Sequence, residues 1–270
     1  MSNEPVSGTK EWAASSFNVM RGCTHGCLYC YACAMSPRQG GDVSKWANEE
    51  AVEKWARRGF GKRQGTIMFP TAHDITPDNI IHCLPVLKRA LKPGNDLLIV
   101  SKPHLAVVKA LCGELADYKD HILFRFTIGS LNDNVLAFWE PGAPDFSERF
   151  ASLQHAFNAG FHTSISMEPL LDTVEYRIVQ AVEKFKPFVT DSIWLGKANH
   201  LIRRLKVNGH MGEIVKYNID NAVAELLASQ SDEWIKALYE TLKGTDKVKW
   251  KDSIKQVVGL ERPTVAGLDE

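Results

Sequence analysis

The sequence predicts an α/β protein, a partial (β/α)6 TIM-like barrel with a helical C-terminal extension, and three observations carry that reading. Six short apolar runs rich in β-forming residues recur up to residue 195, with amphipathic stretches between them. Polar residues with useful chemistry gather directly after those runs. Beyond residue 200 the pattern turns helical and no further strand-like run is evident.

Residues 1–14 are expected to be an N-terminal extension, 15–200 the barrel and 201–270 the helical extension. The strand candidates are Phe17–Met20, Thr66–Pro70, Leu97–Ser101, Ile122–Ile128, Thr163–Met167 and Ser192–Leu195. The helix candidates between them are Asn48–Arg58, Asp78–Lys92, His104–Tyr118, Ser147–Ala159 and Val174–Phe185. Asp220–Ser229, Asp232–Leu242 and Trp250–Val258 follow as helices of the extension. In a partial barrel, as in an open doubly wound sheet, ligand sites form at the C-terminal ends of the strands. Those ends hold Arg21-Gly22-Cys23, Thr71-Ala72-His73-Asp74, Lys102-Pro103-His104, Gly129-Ser130, Glu168-Pro169 and Gly196-Lys197-Ala198-Asn199. Arg125 alternates with Phe124 and Phe126 and is expected to face opposite to them, either pointing into the barrel or serving as a satisfied core arginine.

Composition sets the outer limits. The 270 residues are 44% hydrophobic and 24% charged, ordinary for a globular protein that buries a sizeable core. Lys plus Arg equals Asp plus Glu at 32 each, so no global field draws a polyanion. No apolar run is long enough to span a membrane, and Met1–Lys10 lacks the apolar core of a secretory signal. A cytoplasmic location is expected.

Four of the six cysteines, at 23, 27, 30 and 33, fall in one short segment. Clustered cysteines in such a chain point to metal or redox chemistry, not to a disulfide framework. Thiolates are soft ligands for iron–sulfur clusters or zinc. Three on one loop hold three corners of a cuboidal cluster and leave the fourth iron open. Gly22 and Gly26 let the backbone wrap closely. Two other readings stand beside this one. Cys33 or His25 could complete a tetrahedral zinc site, and Cys33 could be the fourth ligand of an electron-transfer cluster. Cys83 and Cys112 lie in helix candidates and read as small core residues.

The spacing Cys23, Cys27, Cys30, with Tyr29 before the last cysteine, resembles the radical-SAM signature. Arg21 to Ala32, the stretch from Ser130 through Glu140-Pro141-Gly142 and Arg149 to Phe161, and Ile193 to Asn199 resemble the spore photoproduct lyase-like branch of that superfamily. The resemblance implies a 4Fe-4S cluster on Cys23, Cys27 and Cys30, and S-adenosyl-L-methionine as second cofactor. One electron from the cluster would break the C5′–S bond, and the 5′-deoxyadenosyl radical would abstract hydrogen from a substrate. It implies that Lys102 meets the cofactor carboxylate and that Ser130 hydrogen-bonds the same cofactor. It also implies that the Tyr29 carbonyl takes the adenine amino group. Asp74 and Glu168 are further cofactor-binding candidates from their strand ends. An electron donor such as flavodoxin or ferredoxin is the implied partner.

The branch also suggests nucleic-acid repair or modification, with Arg203-Arg204-Leu205-Lys206 as its basic stretch, although zero net charge lends it no support. The lyase carries a cysteine near its second strand end, where this chain has Thr71-Ala72-His73-Asp74. An iron–sulfur electron carrier and a non-catalytic cluster protein are the readings from other classes. His25 and His73 invite an acid–base role, but His25 reads as a loop-packing residue or a support of the cluster and neither is taken as catalytic, while Arg149 reads as half of a structural ion pair.

Overall fold

The structure is a computed structural model that describes residues 4–210 and 219–267. The chain opens with β1 (Ser15–Ser16), followed by a small antiparallel pair, β2 (Met20–Arg21) and β3 (Glu50–Ala51). The strands β4 (Ile67–Phe69), β5 (Leu97–Ser101), β6 (Ile122–Thr127), β7 (His162–Met167), β8 (Ile193–Leu195) and β9 (Val248–Trp250) come next. With β1 they form one seven-stranded sheet in the order β1-β4-β5-β6-β7-β8-β9, parallel throughout. Spatial order follows chain order with no reversal, which makes the sheet singly wound, as in a barrel. β1 and β9 are its two edges and do not pair with each other, so it stays open.

The helices are α1 (Tyr31–Met35), α2 (Lys54–Arg57), α3 (Ile80–Leu91), α4 (Leu105–Glu114), α5 (Asp133–Trp139), α6 (Phe146–Asn158), α7 (Glu175–Phe185), α8 (Leu201–Val207), α9 (Ile219–Ala228), α10 (Asp232–Leu242) and α11 (Asp252–Val258). Alternate strand residues explain the layers, because successive side chains point to opposite faces. Phe69, Ile99, Phe124, Phe126, Ile165 and Leu195 share one buried cluster with Leu87, Val108, Leu153 and Val182 of the crossover helices. The other face looks inward. There Met68 and Leu98 pack on Ala13. Arg125 faces opposite to Phe124 and Phe126, inside the barrel, between Trp12 (4.5 Å) and Trp194 (5.3 Å). Its guanidinium donates to Ser164 Oγ (2.9 Å) and pairs with Asp191 (3.2 Å).

Three local differences from the sequence reading have physical causes. The Phe17–Met20 run is not one strand: pairing to the main sheet covers Ser15–Ser16, and Phe17 instead buries its ring against Trp55, Phe60 and Phe69. The Asn48–Arg58 helix is replaced by β3 and the short α2, because Met20 and Arg21 take Ala51 and Glu50 as ladder partners. The C-terminal segment adds a seventh strand where only helices were expected, and Trp250 belongs to β9, not to the last helix. Helix Asp232–Leu242 lies where expected, and α9 starts one residue before the predicted Asp220–Ser229.

The two ends of the described chain meet at the barrel interior. Val6 N–H donates to Pro263 O and Gly267 N–H to Lys10 O, each at 2.8 Å. Glu11 accepts from the Asp252 amide (2.8 Å) and pairs with Lys251 (2.9 Å), whose ammonium lies 3.8 Å from the Trp12 ring centre. No helix among the described residues is long and apolar enough to cross a membrane.

Candidate functional site

The C-terminal strand ends surround a cavity of about 980 Å³. Its walls include Cys23, Cys27, Cys30, Tyr29, Asp74, Lys102 and Glu168. Ser130 and Cys33 are not among the residues that line it.

The cysteine loop is built by backbone contacts that leave little room for side chains. Gly22 has φ +85°, and a Cβ there would lie 2.6 Å from Trp46 O and 2.7 Å from Asn48 O. The next residue, Cys23, donates its N–H to Trp46 O (2.8 Å). On the other side, Gly142 donates to His25 O (2.9 Å), and a Cβ on it would come within 2.5 Å of Thr24 O. Leu28 N–H donates to Trp139 O (2.9 Å). Cys30 caps α1, its sulfur accepting from Cys33 N–H (3.4 Å). Asn208, at the end of α8, donates to both Leu28 O and Cys30 O at 3.0 Å. The loop is thus held by the segment from Trp46 to Asn48, α5, α1 and Asn208 at once.

Tyr29 is buried, and its hydroxyl donates to Glu140. Glu140 in turn contacts Arg149 Nη1 at 2.5 Å, both side chains fully buried. Arg149 Nε donates to Pro144 O (2.7 Å). Arg149 is therefore the structural ion-pair partner that was expected, and it ties the Glu140–Pro144 stretch to the cysteine loop.

Asp74 is the hub of the opposite wall. It accepts from the Lys102 amide (2.8 Å) and Ser101 Oγ (3.0 Å), and Lys102 Nζ approaches it at 3.3 Å. His25 Nδ1 lies 2.8 Å from its other oxygen, and His25 Nε2 lies 3.1 Å from His104 Nε2. Burial alone would raise the Asp74 carboxyl, but Lys102 and His25 outweigh it and hold the carboxyl well below the usual carboxylate range. Burial opposes the charge on Lys102, yet Asp74 keeps its ammonium firmly protonated. His73 accepts from the Val19 and Met20 amides (3.2 and 3.3 Å) and is a neutral packing residue, its basicity lowered by burial.

Glu168 lines the cavity and lies 3.5 Å from Lys251 Nζ. Ser130 is fully buried. Its hydroxyl donates to Asp172 (2.9 Å) and accepts from the Asn132 amide (2.9 Å). The basic stretch divides: Arg203 and Lys206 are exposed, while Arg204 faces the cavity. Lys251, Glu11 and Asn208 belong to the site or its support and carried no strong local signal in the sequence, and Glu140 stood out there only as part of the Glu140-Pro141-Gly142 stretch. Each meets its partner across more than a hundred residues.

Two sets of side chains could hold a metal. Cys23, Cys27 and Cys30 open together on the cavity. Burial pushes the Cys23 thiol up to about 12 and raises Cys27 and Cys30 as well, so a metal must displace their protons on binding. Ligand atoms of Cys23, His25 and Asp74 also lie within 4.8 Å of one another. In that second set the Asp74 oxygens are already taken by Ser101, Lys102 and His25, and the Lys102 ammonium repels a cation.

Comparison with known proteins agrees with this geometry. The chain is 28% identical over 176 residues to an uncharacterized protein of Acidianus two-tailed virus, a match covering 59% of this chain and 56% of that one. A Streptococcus suis SuiB structure bound to S-adenosylmethionine superposes with a TM-score of 0.56 at 10% identity, over 94% of this chain and 54% of SuiB. A spore photoproduct lyase variant superposes with a TM-score of 0.50 at 15% identity, over 72% of this chain and 60% of the lyase. The chain thus spans little more than half the length of these relatives. Residues 17–185, from the buried Phe17 to the end of α7, match the Radical SAM superfamily, and this chain belongs to that family.

Proposed function

We propose that Cys23, Cys27 and Cys30 hold a 4Fe-4S cluster and that the enzyme uses it to cleave S-adenosyl-L-methionine reductively, so that the 5′-deoxyadenosyl radical abstracts hydrogen from a substrate. The observation that carries the reading is the division of the four clustered cysteines. Three open on the cavity, while Cys33 is buried in α1 outside its lining. That division suits a cluster with one open corner better than a four-cysteine carrier. The bound cluster would supply the single electron that breaks the C5′–S bond.

The protein's own residues position and shield. Lys102, locked by Asp74, would meet the cofactor carboxylate. The Tyr29 carbonyl would take the adenine amino group, its residue fixed by the bond from its hydroxyl to Glu140. Glu168, on the cavity wall, would bind ribose hydroxyls or substrate. Ser130 would serve the same cofactor at one remove, by fixing the loop after β6. The reduced electron donor would be a flavodoxin or ferredoxin, in the cytoplasm.

Anaerobic reconstitution with iron and sulfide, followed by dithionite and S-adenosyl-L-methionine, tests the proposal. Electron paramagnetic resonance should show a 4Fe-4S signal in the wild type and in Cys33→Ala but not in Cys30→Ala, and 5′-deoxyadenosine should follow the signal. An intact cluster that yields no 5′-deoxyadenosine, or a Cys33→Ala protein that loses the cluster, overturns it.

A further inference from the structure

The charged groups around the cavity pair off, with a remainder on one wall. Asp74 takes Lys102 (3.3 Å), Glu11 and Glu168 share Lys251 (2.9 and 3.5 Å), and Asp232 takes Lys197 (3.4 Å). Asp252 takes Arg262. Arg204 of α8 also lines the cavity, yet its side chain makes no hydrogen bond or ion pair with the described residues. Its guanidinium centre lies 5.9 Å from the Tyr31 ring, and Glu168 attracts it only at longer range. Burial weighs against its charge more than any neighbour supports it.

A guanidinium drawn partly out of water with unmatched donors is costly, and an oxyanion in its fork removes that cost. The same wall carries more positive charge. Lys197 is held only by Asp232, which is 62% exposed, so its pairing is weak. His200 lines the cavity at φ 55°, in the left-handed region that few non-glycine residues adopt. Lys102, the cation placed for the cofactor carboxylate, follows β5, whereas this wall follows β8, three strands along the sheet.

We propose that Arg204, flanked by Lys197 and His200, is a subsite for an anionic group of the substrate, a phosphate or a carboxylate. It rests on the radical SAM reading, because that reading gives the cofactor carboxylate to Lys102 and leaves Arg204 to the substrate. The substrate would hold its anion at α8, beside the cluster loop that α8 supports.

The test uses the reconstituted protein, the variants Arg204→Gln and Arg204→Lys, and titration calorimetry at low ionic strength. Inorganic phosphate and acetate are the probes, each with and without S-adenosyl-L-methionine. The wild type should bind at least one anion in the presence of the cofactor. Arg204→Gln should weaken that binding about tenfold or more, the loss expected for a charge-assisted contact. Arg204→Lys should fall between, and cofactor affinity should be unchanged in both. Preference for phosphate would assign a phosphate ester, and preference for acetate a carboxylic acid. Equal anion binding by wild type and Arg204→Gln, or no anion binding by either, overturns the subsite. Loss of cofactor affinity in Arg204→Gln overturns it too, since Arg204 would then serve the cofactor carboxylate. A wild type that binds anion but no cofactor leaves the subsite standing and counts against the radical SAM reading.

Discussion

Glu140 lies fully buried between the Tyr29 hydroxyl and the Arg149 guanidinium. Removing one partner of such a pair strands the other charge away from water, at a cost of about 3–5 kcal/mol. Arg149→Ala should therefore lower the unfolding free energy by about that amount in urea titrations. Arg149→Ala with Glu140→Gln should recover part of it. A loss below about 1 kcal/mol would mean the pair is hydrated. Glu11 gives a pH signature instead. Burial pushes its carboxyl up to about 7, against the pull of Lys251 and the Asp252 amide. A carboxyl raised on folding stabilises fully below its unfolded value of 4.5 and loses that contribution as pH rises through about 7. Stability of the wild type relative to Glu11→Gln should thus fall between pH 4.5 and 7, read from unfolding midpoints. A flat difference across that window would place the shift elsewhere.

The cysteine loop depends as much on glycine and on neighbouring elements as on its sulfurs. Gly22→Ala meets two carbonyl oxygens under 3 Å and places a side chain in the left-handed region, which alone costs about 1–2 kcal/mol. The variant should reconstitute with well under half the wild-type iron content, measured as iron per protein, while the distant sheet keeps its circular dichroism. Asn208 acts from α8 on the two carbonyls that bracket Tyr29. Asn208→Ala should leave the iron content near wild type but alter the resonance line shape and weaken cofactor binding about tenfold, the value of two neutral hydrogen bonds. A collapse of iron content would instead make Asn208 a folding residue only.

For the molecule as a whole, β9 matters because it brings the end of the chain back to the beginning. It covers the β8 edge and delivers Lys251 to Glu11 and Glu168. Ending the chain before Val248 should expose that edge and leave two carboxylates without their cation. The truncated protein should melt well below the full chain and lose 5′-deoxyadenosine formation although all cluster cysteines remain. A truncation that melts like the full chain would show that the barrel stands without its seventh strand.

Leu97–Ser101 was legible as a short continuous apolar run, Asp232–Leu242 by its helical period, and the clustered cysteines because all their spacing lies within one loop. β9 was not, since Val-Lys-Trp is three residues long and alternates like many surface turns. Ser130 was placed correctly at a strand end, but the direction of its hydroxyl was set by Asp172, 42 residues away. The sequence by itself determined the parallel α/β order, the gathering of four cysteines in one segment and the wall that holds Asp74 and Lys102, because those follow from local pattern and from strand ends. Only the tertiary structure decided that Cys33 lies outside the cavity lining, that Lys251 enters it and that the Arg204 side chain has no ion-pair partner among the described residues. Those outcomes depend on which distant groups come within a few ångströms of one another, and local spacing does not encode that.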